Sequence, residues 1–172
     1  MARRYYADYV QYVHMGRWKR ARHLDLVCEK LESIIEGKTK RLMIFMPPRH
    51  GKSMTVTETF PSFYLGKNPE KRVIEISYSG DLAQQFGKRN RDKVEEFGPA
   101  LFGHTISQVQ ATKTNWNLDN GMGGDDLRWY RRAPSPAMAQ TCLSSMTPSR
   151  TAPRLNLPPY RDKLWDEVPS PR

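Results

Sequence analysis

An apolar run that ends in a glycine-lysine-serine turn constrains this chain more than any other feature. Residues 41–46 read RLMIFM, a short apolar segment of the kind that forms a buried strand. PPRHGKS follows directly, and residues 52–65 then read as a helix, disturbed by Pro61 near its end. Strand, loop and helix in that order is the setting in which a Gly-Lys-Ser tripeptide cradles phosphates. Gly51 lets backbone N–H groups approach phosphate oxygens with no Cβ in the way. Lys52 would set its charge against the β- and γ-phosphates, and Ser53 would offer its hydroxyl to Mg²⁺. The start of the following helix would add a partial positive charge. ATP with Mg²⁺ is therefore the expected cofactor. The general pattern has glycine where this chain has Met46, and the loop also holds Arg49 and His50. Arg49 reads either as a γ-phosphate contact, sensing or stabilising charge, or as a solvent-exposed loop arginine.

The surrounding segments fit an α/β chain. Residues 22–37 form a helix by period, with Leu24, Val27, Cys28, Leu31, Ile34 and Ile35 on one face and Gly37 closing it. Residues 72–78 (RVIEISY) read as a second strand. Residues 81–97 read as a second helix with Leu82, Phe86, Val94 and Phe97 inside. The expected fold is a P-loop NTPase-type parallel sheet with flanking helices, incomplete, followed by a disordered Pro-rich tail. Composition changes near 121–124, which divides the chain into a globular part, 1–124, and a tail, 125–172. Residues 134–171 carry eight of the 13 prolines, without helical or strand period.

The net charge of +10 favours a polyanionic partner. Arg17, Lys19, Arg20 and Arg22 form a basic cluster that reads equally as a DNA contact or a solvated helix approach. No apolar run is long enough for a membrane span, and the amino terminus lacks the apolar stretch of a secretory signal. Cys28 and Cys142 have no metal-ligand spacing, which points to a reducing compartment.

PPRHGKS after RLMIFM resembles the ATPase motif of phage large terminase subunits, a family that commonly replaces the first glycine of the loop and carries an arginine within it. GRWKRARHLDLVCEKLESIIEG, TETFPSFYLGKNP and SYSGDLAQQFGKRNRDKVEEFGPALFG resemble it too, so the likeness runs over residues 9–117. It implies a motor that drives double-stranded phage DNA into a capsid by ATP hydrolysis, with a carboxy-terminal nuclease domain that is expected to be absent here. Its implied partners are the portal protein, the small terminase subunit and further copies in a homo-oligomeric ring. Its implied location is the cytoplasm of a bacterial host. Arg49, His50, Gly51, Lys52 and Ser53 carry over as the nucleotide site, with Ser53 on Mg²⁺ and Arg49 as the candidate catalytic arginine. Ser77 to Ser79 and Arg89 match the segment after the second strand; Arg89 reads equally as a solvated helix residue. A basic nucleic-acid-binding protein and another P-loop motor, helicase-like, are the alternative readings.

Hydrolysis also needs acids, one to hold Mg²⁺ and one to activate water. No apolar run ending in Asp or Glu follows Ser79. Asp125 and Asp126 come after GMGG and read as loop. The genetic code offers an account. Let each new codon take the third base of one residue's codon and the first two of the next. Met138 before Ala139 then forces glycine, and Met146 before Thr147 forces aspartate. From 132 to 155 this frame permits GAITGHGADLLIIDDPIKNRAEA, whose LLIIDD is an apolar strand ending in two acids. YRDKLWDE, 160–167, then resembles the family again. A frameshifted gene is thus the expectation for the tail, with hydrolysis absent from the chain as written and poor solubility for the isolated protein. A genuine disordered tail is the alternative.

Overall fold

The computed structural model describes residues 2–77, 79–112, 115–120 and 123–129. Five helices and four strands follow in the order α1 (Tyr6–Val13), α2 (Arg22–Ile35), α3 (Lys52–Thr55), α4 (Phe60–Lys67), β1 (Arg72–Ser77), α5 (Gly80–Leu101), β2 (Ile106–Ala111), β3 (Asn115–Leu118) and β4 (Gly124–Trp129). The expected readings of the tail, from the shifted frame at 132–155 to YRDKLWDE, lie outside the described residues.

The fold is mixed α/β, and its sheet departs from the all-parallel expectation. Strand order is β1-β4-β3-β2. Only β1 and β4 run parallel; β4 with β3 and β3 with β2 are antiparallel. The β2–β3 hairpin accounts for the difference. Thr112 and Asn115 close it, with Thr112 N donating to Asn115 O at 3.0 Å and Asn115 N to Thr112 Oγ1 at 2.9 Å. Tight connections of this kind join only antiparallel strands. Asp125 and Asp126, expected in a loop, stand in β4. Glycine at 123 and 124 permits this: a Cβ there would lie 2.2 Å from Pro69 O and 2.4 Å from Trp116 O, so the backbone threads a slot only glycine fits.

Two helical expectations change in detail. The helix over 52–65 is two short helices with a turn between them. Pro61 stands at the start of α4, where its missing N–H is no loss, and so begins a helix instead of disturbing one. The helix at 81–97 extends over Gly80–Leu101, with Pro99 in its last turn. Its buried stripe is Ala83, Gly87, Asn90, Val94 and Gly98, small side chains that let it lie close on the sheet, while Leu82, Phe86 and Phe97 are half-buried at its flanks.

α2 matches its predicted face: Leu24, Cys28 and Leu31 are buried, and Val27, Ile34 and Ile35 pack partly against the core. Burial pushes the Cys28 thiol up to about 12, with the nearby carboxylates of Asp25 and Glu32 adding to the shift, so it serves as a small apolar side chain. The densest packing is aromatic. Phe63 sits between Tyr6 and Tyr9 of α1, with ring centroids at 5.1 and 5.0 Å, and meets Phe102 at 5.8 Å.

The largest correction concerns residues 41–46. Their burial alternates as a strand's would, yet they join no strand of the sheet among the described residues. Leu42, Ile44 and Met46 turn partly onto the core, while Met43 and Phe45 stand 76% and 84% exposed. The period is that of a strand; what is absent among the described residues is a neighbour to pair with.

Candidate nucleotide-binding site

The loop after residue 46 bends through two left-handed residues. Arg49 has φ of 64°, and Gly51 has φ of 82° and ψ of 3°. A side chain at 51 would be strained by the backbone alone, and its Cβ would press to 3.3 Å from Leu24, where the loop rests on α2. Alternation of left- and right-handed residues turns successive N–H groups toward one side, the arrangement that favours an anion. His50 braces the bend: its Nδ1 donates to Pro48 O at 2.8 Å, and His23 Nε2 donates to His50 O at 3.3 Å. The five candidate residues, Arg49, His50, Gly51, Lys52 and Ser53, are therefore contiguous on one turn. Lys52 is half-buried; Arg49, His50 and Ser53 are exposed. Because α3 is a single turn, its dipole adds less than the expected longer helix would.

Polar side chains from three directions hold the chain just past the loop. Trp18 Nε1 donates to Thr55 Oγ1 at 2.8 Å, and the Tyr6 hydroxyl donates to Thr55 O. Thr59 Oγ1 donates to Met54 O at 2.8 Å. It must then accept from His14 Nε2, 2.8 Å away, which fixes the proton of the neutral imidazole on Nε2. Asn90 Nδ2 reaches Thr57 O at 2.8 Å. Trp18, His14 and Asn90 were not singled out from sequence; each is a polar group within an apolar or small-residue stripe, and that placement is the signal that could have found them. Arg89 forms an ion pair with Glu58, with its own side chain 49% exposed on the helix surface. Ser77 is buried at the end of β1, and Ser79 stands at the N-cap of α5 with its N–H 3.5 Å from Ser77 Oγ. Tyr78 lies outside the described residues.

His14 supplies a pH handle. Burial, then the positive charges of Lys93, Arg17 and Arg89, lower its pKa from 6.5 to about 4. A base whose folded pKa is depressed adds stability above its unfolded pKa and loses it as pH falls through the folded value. Acid should therefore weaken the fold between pH 6.5 and about 4, and the His14 ring should titrate near 4 by NMR. A ring titrating near 6.5 would place His14 outside the core.

Residues 43–122 match the family model described as terminase large subunit, T4likevirus-type, N-terminal. The match begins before the loop and takes in its whole length. Over these residues the chain is similar to the amino-terminal part of phage terminase large subunits. No curated protein and no solved structure matches the chain. The terminase match ends just before Gly123 and β4, and it starts after α1 and α2, although Tyr6 of α1 bonds to Thr55 O just past the loop and His23 of α2 bonds to His50 O within it. Among the described residues, no three His, Cys, Asp or Glu side chains gather as a metal site, and no helix is long and apolar enough to cross a membrane.

Proposed function

We propose that this terminase-like segment is the ATP-binding part of a motor that packages double-stranded phage DNA. The observation that carries the proposal is the bent loop itself: left-handed residues at 49 and 51 and a Gly-Lys-Ser sequence, inside the stretch that matches the terminase family. In this reading Gly51 clears the phosphate path, Lys52 neutralises the β- and γ-phosphates, and Ser53 supplies an oxygen to Mg²⁺. Arg49 and His50 line the same turn, with Arg49 the charge nearest a developing γ-phosphate. The net charge of +10 suits a DNA partner. Portal protein, small subunit and a ring of copies in a bacterial cytoplasm complete the proposed setting.

Binding and hydrolysis separate here. The acids that catalysis requires are specified, in this proposal, by the shifted frame at LLIIDD, so the chain as written binds Mg-ATP without turning it over. Lys52→Ala tests the site. Calorimetric or fluorescent-nucleotide titration should show affinity falling roughly tenfold or more, because a charge-assisted phosphate contact is lost. DNA binding, measured in the same samples, should persist. Unchanged nucleotide affinity would dismiss the loop as the site and favour the basic nucleic-acid-binding alternative.

A further inference from the structure

Asn90 and Glu75 leave two buried oxygens without a donor. Asn90 lies in the small-residue stripe of α5, 0% exposed, over the sheet face that carries Glu75, 2% exposed on β1. Its amide nitrogen has two hydrogens. One goes to Thr57 O and the other to Glu75 Oε1, each at 2.8 Å, with Phe86 O more distant at 3.2 Å. Thr57 O is a main-chain carbonyl and can only accept, so turning the amide over would set oxygen against oxygen. That fixes Asn90 Oδ1, which has no hydrogen-bond partner among the described residues; nor has Glu75 Oε2. Buried acceptors left unpaired are costly, and here both belong to two groups already joined by one hydrogen bond.

A single proton satisfies both. An ionised carboxylate only accepts, whereas the protonated acid has an O–H to give. With Asn90 Nδ2 already donating to Glu75 Oε1, a bond from Glu75 Oε2–H to Asn90 Oδ1 closes a two-bond clasp between acid and amide. The surroundings favour the neutral acid. Burial first, then the Asp125 carboxylate of β4, hold the Glu75 carboxyl well above its ordinary range, and Lys93 of α5 opposes them. Lys93 also has other company: its Nζ lies 3.4 Å from Arg89 O, beside the Arg89–Glu58 ion pair. α4 packs on β1 too, but its charged residue, Lys67, lies over the Phe63 ring.

We infer that Glu75 is a neutral carboxylic acid in the folded protein at neutral pH, donating Oε2–H to Asn90 Oδ1, and that this clasp makes Asn90 the positioning residue for the chain just past the phosphate loop. The other Asn90 hydrogen is on Thr57 O, in the turn that joins α3, with Lys52 and Ser53, to α4. β1 therefore grips the downstream side of the loop through one amide. Ionising Glu75 sets a carboxylate oxygen against Asn90 Oδ1 with no proton between them, and the amide is pushed away from its partners. The grip is complete while Glu75 keeps its proton and is lost as pH rises through the folded-state value. Its consequence for ATP rests on the proposed nucleotide site; the clasp itself does not.

Glu75→Gln and Glu75→Leu test the clasp against simple loss of charge. Glutamine offers an N–H in place of the O–H and closes the same clasp at every pH. Leucine removes the charge and fills similar space but leaves Asn90 Oδ1 unpaired. Infrared spectra at neutral pH should show the carbonyl band of a protonated carboxylic acid in the parent and not in Glu75→Gln. No such band in the parent, or its persistence in the variant, overturns the inference. Amides of residues 55–58, which bond back to residues 51–53, should exchange at least about tenfold faster in Glu75→Leu than in Glu75→Gln. Equal exchange would show that the charge matters and the clasp does not. Should the leucine variant fail to fold, the ratio of parent to Glu75→Gln exchange at the same amides decides, since intrinsic pH dependence cancels in it. That ratio should climb as pH rises above neutral, and a constant ratio refutes the grip. Mg-ATP affinity should fall by about tenfold per pH unit above the folded-state value in the parent and stay level in Glu75→Gln. If Lys52→Ala leaves nucleotide affinity unchanged, the ATP reading fails alone, and the spectra and exchange still decide the clasp.

Discussion

Phe63→Ala should unfold the amino-terminal half of this protein at room temperature or leave it only marginally folded. Phe63 is 1% exposed and touches three aromatic rings, those of Tyr6, Tyr9 and Phe102, at 5.0 to 5.8 Å. Truncating a phenylalanine in a packed core costs about 3–5 kcal/mol, from lost transfer energy and the cavity left behind. A domain of this size holds about 5–15 kcal/mol in all. The cost here should lie at the upper end, because the cavity would be walled by rigid rings that cannot collapse into it. Denaturant melts followed by tryptophan fluorescence would measure it. Trp18 reports on the same region through its bond to Thr55. A loss below about 1 kcal/mol would mean that α1 does not pack on α4 as described.

Glu75→Gln should stabilise the protein at neutral pH and reverse the local trend with pH. Burial first, then the Asp125 carboxylate, raise the Glu75 pKa well above its ordinary value, and Lys93 opposes them. Asn90 is the neutral group bonded to it. A carboxyl group with a raised folded pKa contributes its full stability below the unfolded value, 4.5, and loses it as pH rises through the folded value. The unsubstituted chain therefore carries a penalty at neutral pH that the uncharged amide avoids. Melting temperature plotted against pH should fall above 4.5 for the parent and stay level over the same range for the variant, apart from the opposite slope that His14 gives below 6.5. The double variant with Asp125→Met should gain less than the two single gains combined, because both remove the same repulsion. A Glu75→Gln protein less stable than its parent at pH 7 would refute this electrostatic account.

The elements legible in the sequence are those whose period is set by their own residues. α2 announces its apolar face, and β1 and α5 lie within a few residues of their expected positions, because alternation and helical spacing are local properties. The loop was legible from Gly51, Lys52 and Ser53 and their flanks. What escaped depends on distant partners. RLMIFM has the composition of a central strand, but composition does not supply a neighbour. β4 looked like loop because Asp125 and Asp126 are poor strand formers, and only pairing with β1 and β3 makes it a strand. Pro61 was misplaced because a proline inside a helix and one at the start of a second helix look alike until the break before it is seen. Asn90 was hidden by being polar: its role appears only once Thr57 O and Glu75 are beside it.

The brace around Thr55 bears on where this molecule can be cut. Tyr6 and Trp18 reach it from residues that lie before the start of the terminase match at 43. Homology therefore marks out a shorter piece than cooperativity does. A fragment trimmed to the matched residues would keep the whole Gly-Lys-Ser loop and discard the aromatic clamp that keeps the loop's downstream anchor in place. The smallest autonomous unit that carries this loop has to begin at or before α1.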